Sequence, residues 1–385
     1  MMTRRYMVAW SLIAVVLALP LSAVAADKAP FGVITPLSGG AAHYGTNFWR
    51  GIQMAAEEIN RAGGVTIAGG KKVELEPIVC DDEFKSDKAV GCGRRLASMN
   101  HVPMIMTPAS LSAFPLMGFN EKMGFLLMAT SQSPTFTEKG NKMVVRFVNN
   151  VDRTMDRWVS LLVKHLERTN VPARTVAIME VNTQLGKEWV QAFEREWKKR
   201  NRDIAGKASY DANETDFAAQ LTSLLSKQPE VILLTTVDEP SALVIKQARE
   251  LGFKGTFINS AAASGERLLE LLPPAMVDGT VIEVGSWVLK SPPAQELTAK
   301  YRAKYSNETP HMIAAIGYEG TRLYARTVEL AGTATDATKI RQAFPRAYDI
   351  PNVIFKMANL DEKGDVDFPM YLGLLKDKKI VPVTE

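Results

Sequence analysis

Residues 231–258 read VILLTTVDEPSALVIKQARELGFKGTFI, and the fold class is decided there. Val231 to Thr236 is an unbroken run of apolar residues and threonine, the composition of a strand covered on both faces. From Ser241 to Leu251 the pattern is helical. Lys246 and Arg249 in its last turns complement the helix dipole, and Gly252 supplies a left-handed stop. Thr256 to Ile258 returns to a strand. Two strands separated by a helix can pair in parallel, because parallel neighbours need a long crossover. The segment therefore predicts one strand–helix–strand unit of an α/β sheet.

The same unit repeats in both directions along the chain. Towards the N-terminus, strands are expected at Thr175 to Glu180 and near Ile204 to Ser209. Helices are expected over Asp152 to Glu167, Gly186 to Arg200 and Thr215 to Ser226, with Asp216 in the first turn of the last. Before Asn149 the strand patterns are Phe31 to Thr35, Val73 to Cys80, Pro103 to Met106, Phe125 to Ala129 and Val144 to Val148. Helical patterns separate them at Asn47 to Arg61, Asp87 to Asn100 and Ala113 to Lys122. Past the opening segment, His311 to Ala331 reads as a long helix in which Gly317 and Gly320 imply close packing on a neighbour. Alternation throughout predicts parallel sheets with helices on both faces.

The ends and the composition set the compartment. Arg4 and Arg5 precede an apolar run from Met7 to Leu19, and Ala23-Val24-Ala25 follows Pro20. This is the pattern of a signal peptide over residues 1–25, cleaved before Ala26. A membrane helix would need about 20 apolar residues. Of 385 residues, about 360 would then remain, more than one core usually serves, so two domains are expected. The formal net charge of +4 falls to about +2 without Arg4 and Arg5, which gives no electrostatic case for a nucleic-acid partner. The two cysteines, Cys80 and Cys92, read as a disulfide in an oxidising compartment, or else as two buried thiols. His43, His101, His165 and His311 show no metal-ligand spacing, and no cofactor is implied.

Open parallel sheets bind ligands beyond the carboxyl ends of their strands. After the first strand come Ser38, Gly39 and Gly40, then His43 and Tyr44. After the third come Ser110, Leu111 and Ser112, and after the fourth Thr130, Ser131 and Gln132. Hydroxyl-rich turns that open helices can cradle an anion, although each hydroxyl is also an ordinary helix cap. Dinucleotide, phosphate-loop and nucleophile-elbow patterns are missing from the sequence, so an enzyme is not expected. Asp81-Asp82-Glu83 reads as a solvated acidic turn.

Several pieces in fixed order resemble a known family. They are Gly32 to Gly39 (GVITPLSG), Gly51 to Gly64 (GIQMAAEEINRAGG), Asp81-Asp82, Asp216-Phe217, Lys246 to Gly252 (KQARELG) and Leu360 to Asp365 (LDEKGD). Together they resemble the type I periplasmic binding proteins of ABC importers, in the class typified by the Leu/Ile/Val-binding protein. The resemblance implies two doubly wound lobes joined by three crossings, near Asn149, Glu283 and Pro369. One lobe would hold 26–148 with 284–368, the other 149–283 with 369–385. A small ligand would sit between them, and the closed form would dock on membrane permease subunits.

By the same resemblance, the loops at Ser110 to Ser112 and Thr130 to Gln132 hold a ligand carboxylate, and Tyr44 packs on the ligand. On the second lobe the pattern departs. An acidic partner for an ammonium group is replaced by Ala261, and two tyrosines by Leu185 and Val237. A buried ammonium without a counter-charge is costly, so an aromatic or other hydrophobic acid is the expected ligand, with Asp238 or Glu283 as substitutes if it carries an amine. The alternatives are a leucine-, isoleucine- or valine-like ligand, a periplasmic sensor for a receptor kinase, and a secreted enzyme on this topology. A monomer is expected.

Overall fold

The computed structural model describes residues 27–260, 263–284, 291–351, 353–355, 360–366 and 371–383. The leader pattern, Ala261 and the crossing expected near Pro369 lie outside the described residues.

Two sheets organise the chain. The first half runs β1 (Asp27–Thr35), α1 (Ala42–Arg61), β2 (Val65–Thr66), β3 (Lys72–Asp81), α2 (Ser86–Ser98), β4 (Met104–Thr107) and α3 (Ser110–Met117). It continues through α4 (Asn120–Met123), β5 (Leu126–Ala129), α5 (Thr135–Glu138) and β6 (Val144–Arg146). These strands form a sheet in the order β2-β3-β1-β4-β5-β6, parallel except for β2 against β3.

After residue 150 the chain builds a second lobe: α6 (Val151–Arg168), β7 (Thr175–Val181), α7 (Gln184–Lys199), β8 (Asp203–Tyr210), α8 (Ala218–Leu225), β9 (Val231–Leu234), α9 (Asp238–Glu250) and β10 (Thr256–Asn259). Then come α10 (Gly265–Leu271), α11 (Pro274–Val277) and β11 (Val281–Val284). Helices α12 (Pro292–Lys304), α13 (Met312–Ala331) and α14 (Ala337–Ala343) return to the first lobe, and β12 (Tyr371–Lys376) with β13 (Lys379–Val383) closes the second. Its strand order is β13-β12-β11-β10-β9-β7-β8, parallel except for β12, which runs antiparallel to both β11 and β13.

The segment at 231–258 behaves as its composition requires. Val231 to Leu234 is wholly buried, and β9 pairs in parallel with both β7 and β10. Each such aliphatic side chain contributes roughly 1.5–3 kcal/mol by burial. Helix α9 starts earlier than expected, at Asp238, with Pro240 inside its first turn. Proline is tolerated there because the missing N–H would have no acceptor anyway. Helix α1 likewise starts at Ala42, which brings His43 and Tyr44 onto the helix. The helix expected over Ala113 to Lys122 is two short ones, α3 and α4.

Gly51 and Gly317 explain how α1 and α13 meet. A Cβ on Gly51 would lie 2.0 Å from the carbonyl oxygen of Ala314, and one on Gly317 2.5 Å from that of Phe48. The close packing expected from Gly317 is therefore backbone against side-chain-free backbone. This contact fixes the start of α13, and with it His311 and Met312, beside the first turns of α1.

Candidate functional site

A cavity of about 120 Å³ lies between the lobes, at the carboxyl ends of both sets of strands. A dry cavity of about 150 Å³ accepts a benzene-sized molecule, so the space suits a small organic ligand. The first lobe contributes Tyr44 from α1, Ser110 and Leu111 from the start of α3, Thr130 and Gln132 after β5, and Met312, Ile313 and Ile316 from α13. The second contributes Val181, Leu185, Thr235, Thr236, Val237, Glu283 and Val284. Seven sequence-predicted residues thus line it: Tyr44, Ser110, Leu111, Thr130, Gln132, Leu185 and Val237.

The first-lobe hydroxyls are already oriented. Tyr44 Oη donates to the Pro108 carbonyl at 2.9 Å, and Thr130 Oγ1 donates to the same oxygen at 2.5 Å. Burial raises the Tyr44 phenol above its usual range, so it stays a neutral donor that shows the cavity its ring. Ser110 Oγ donates to Ser131 Oγ at 2.8 Å. What remains for an anion is the N-terminus of α3, where the first backbone N–H groups have no intrahelical acceptor.

Other predicted contacts have different partners. Ser38 Oγ donates to Asp81 at 2.7 Å, and Ser112 Oγ donates to the fully buried Asp82. Asp81 also accepts from the N–H of Leu37 and of Glu83, each at 2.8 Å. Burial pushes the Asp81 carboxyl up, but these donors together hold it below its ordinary value, whereas burial keeps Asp82 above its own. The acidic run is a brace for the loops around the site, not the solvated turn expected. Ser131 is wholly buried behind Ser110, and its carbonyl accepts from the buried Arg146. None of Ser38, Ser112 and Ser131 is among the lining residues.

Arg146 gives the LDEKGD piece a structural meaning. Its guanidinium donates to the Ser133 carbonyl at 2.6 Å and to Asp365 at 2.5 Å. The Arg146 N–H donates to the Gly364 carbonyl at 2.8 Å, and Asn150 Nδ2 reaches Asp365 at 3.0 Å. The loop from Thr130 to Ser133 is thereby tied to the crossing region.

His43 and Asp238 meet each other rather than the cavity. His43 Nδ1 lies 3.0 Å from Asp238 Oδ2, joining the first turn of α1 to the first turn of α9 across the lobes. Burial alone would raise the Asp238 carboxyl. The electrostatic approach of His311 and hydrogen bonds from His43 and the Ser264 N–H hold it well below the usual carboxylate range instead. Elsewhere on the seam, Ser133 and Thr135 donate to Glu188 of α7.

Sequence reasoning missed Phe84, Thr183, Thr235, Thr236, Met312, Ile313 and Ile316 as lining residues. The apolar start of α13 carried no signal by itself, because only the α1–α13 packing turns it towards the cleft. Glu283 lines the cavity from β11, and Gln132 Nε2 lies 3.4 Å from its Oε1 and 2.9 Å from Asn149 Oδ1. Cys80 and Cys92 form a disulfide, Cα atoms 5.7 Å apart, that pins β3 to α2 behind the Asp81–Asp82 brace. Among the described residues no His, Cys, Asp or Glu group could hold a metal ion, and no helix is long and apolar enough to cross a membrane.

Known proteins are similar to this chain in sequence and in fold. The chain is 24% identical over 337 residues to the Leu/Ile/Val-binding protein BraC3 of Rhizobium johnstonii, covering 87% of this chain and 88% of the relative. The leucine binding protein LivK of Thermotoga maritima superposes with a TM-score of 0.80 at 23% identity, over 92% of this chain and 97% of that one. A fatty acid ABC transporter substrate-binding protein of Thermomonospora curvata gives 0.76 at 20% identity, over 93% and 92%. A family model described as periplasmic binding protein matches residues 28–379. Since that match runs through both sheets and the cavity between them, the chain belongs to the periplasmic binding protein family.

Proposed function

We propose that this protein is the exported, non-catalytic capture component of an ABC importer, and that it closes two lobes around a small hydrophobic carboxylate. The observation that carries the ligand class is the second-lobe wall of the cavity. Val181, Leu185, Val237 and Val284 make part of it aliphatic, beside Thr183, Thr235, Thr236 and Glu283, where the family resemblance implies two tyrosines at Leu185 and Val237. Opposite them, the N-terminus of α3 offers N–H groups to a carboxylate, and Tyr44 offers a ring face. An aliphatic or aromatic acid without an amine fits both walls.

Glu283 favours a second reading, a hydrophobic α-amino acid. It is the one charged side chain among the described lining residues, and it approaches the cavity from the strand beside β10, after which Ala261 follows in the sequence. The relatives named for leucine, isoleucine and valine add weight to this reading.

A thermal-shift panel of hydrophobic amino acids and their amine-free counterparts separates the two, because a ligand that binds the native state raises the melting temperature. Stabilisation by the acids alone supports the first reading. Stabilisation by amino acids alone transfers the ammonium role to Glu283. A response to neither class removes hydrophobic carboxylates as the ligand.

A further inference from the structure

We propose that Asp238 is a positioning residue for ligand capture: with His43 and His311 it forms a direct clasp between the lobes that favours closure without touching the ligand. The inference rests on the chain being a two-lobed capture protein, and its test needs no ligand.

The hydrogen-bond directions around the clasp follow from one amide. Asn47 Oδ1 accepts from the Tyr301 hydroxyl at 2.7 Å and from the His311 N–H at 3.1 Å. Its Nδ2 therefore faces His43, donating to the His43 carbonyl at 3.0 Å and lying 3.3 Å from Nε2. His43 Nε2 must accept, so the proton of a neutral ring sits on Nδ1 and points at Asp238 Oδ2, 3.0 Å away. His311 is fixed in the opposite tautomer. Its Nδ1 accepts from the Ile313 N–H at 2.9 Å as the cap of α13, which leaves Nε2–H towards Asp238 Oδ1. At 3.5 Å this second approach is an electrostatic contact rather than a hydrogen bond.

Asp238 itself is wholly buried and is not among the cavity-lining residues. Within its own lobe, Oδ1 accepts from the Ser264 N–H at 2.6 Å. Two imidazoles of one lobe thus converge on one carboxylate of the other, a few residues from Tyr44 and Val237 of the cavity wall. Parting the lobes exposes all three groups to water. The clasp therefore exists only in the closed form and shifts the open–closed equilibrium by its differential strength.

The substitution Asp238→Asn isolates this role. An asparagine keeps an oxygen for the Ser264 N–H but turns an NH₂ group towards His43 Nδ1–H. The imidazole cannot relieve the clash by changing tautomer, because Asn47 Nδ2 faces its other nitrogen. His43→Ala attacks the clasp from the other lobe, at a partly exposed helix position that alanine suits.

The readout is the distance distribution between nitroxides on Gly40→Cys and Lys246→Cys in the ligand-free protein. A Cβ at Gly40 meets nothing within 4 Å, and Lys246 is exposed on α9. The parent is expected to show a measurable closed population, and each variant a closed-to-open ratio at least tenfold lower. The double variant is expected to fall no further than either single one. Unchanged melting curves would separate this from misfolding of either lobe. A parent that is wholly open without ligand, or variants with the parent's distribution, would overturn the clasp. Failure of every ligand in the thermal-shift panel would instead strike the functional reading and leave this measurement standing.

Discussion

Leu185 lies in the first turn of α7, partly buried, and lines the cavity. Truncating it to alanine removes aliphatic surface worth about 1.5–3 kcal/mol when fully covered. We expect Leu185→Ala to weaken binding of a hydrophobic carboxylate about tenfold, measured by calorimetry, with an unchanged melting temperature of the ligand-free protein. Glu319 of α13 illustrates the opposite case, a titrating group that does not line the cavity. Burial outweighs the neighbouring Arg322 charge and the bonds from Ile354 N–H and Arg322, and pushes its carboxyl up to about 7. An acid raised in the folded state contributes its full stability below its ordinary pKa near 4.5 and loses it as pH climbs towards 7. Glu319→Gln should remove that decline. Relative to the parent it should gain on the order of 3 kcal/mol between pH 4.5 and 8, read by denaturant unfolding at each pH. Single residues were also where reading the sequence went furthest astray. Ser38 and Ser112 looked like ligand hydroxyls, but nothing in their spacing reveals that Asp81 and Asp82 at the end of β3 take both.

At the scale of elements the sequence was largely legible. Buried parallel strands such as β9 announce themselves by composition, and glycines such as Gly317 by interrupting a helical pattern without ending it. Boundaries were less so. Helix α9 was expected from Ser241 but starts at Asp238, because Pro240 in its first turn costs no hydrogen bond. The antiparallel hairpin of β12 and β13 was not anticipated, because it lacks the strand–helix alternation that exposes the rest. The disulfide between β3 and α2 closes a 12-residue separation, for which chain entropy gives about 3 kcal/mol. Cys80→Ala with Cys92→Ala should lower stability by about that amount in urea. The ligand should still bind, since neither cysteine lines the cavity.

For the whole molecule, two sheets with their carboxyl edges facing one another leave between them a cavity lined from both lobes. The family resemblance gave that architecture, and the matching family model supports it over residues 28–379. Ligand chemistry was less legible, because the cavity wall is assembled from positions as distant as Tyr44, Leu185, Glu283 and Ile316. The aliphatic part of the second-lobe wall and the Glu283 carboxylate pull the assignment in different directions, and size alone does not decide between them. The deciding contrast is the amine. Isothermal titration of the protein with 3-phenylpropanoate and with phenylalanine, which differ in that group alone, tests it most directly. The account predicts binding of the amine-free acid at least tenfold tighter than that of the amino acid. Equal or tighter binding of phenylalanine would contradict it and assign an ammonium site to the cavity.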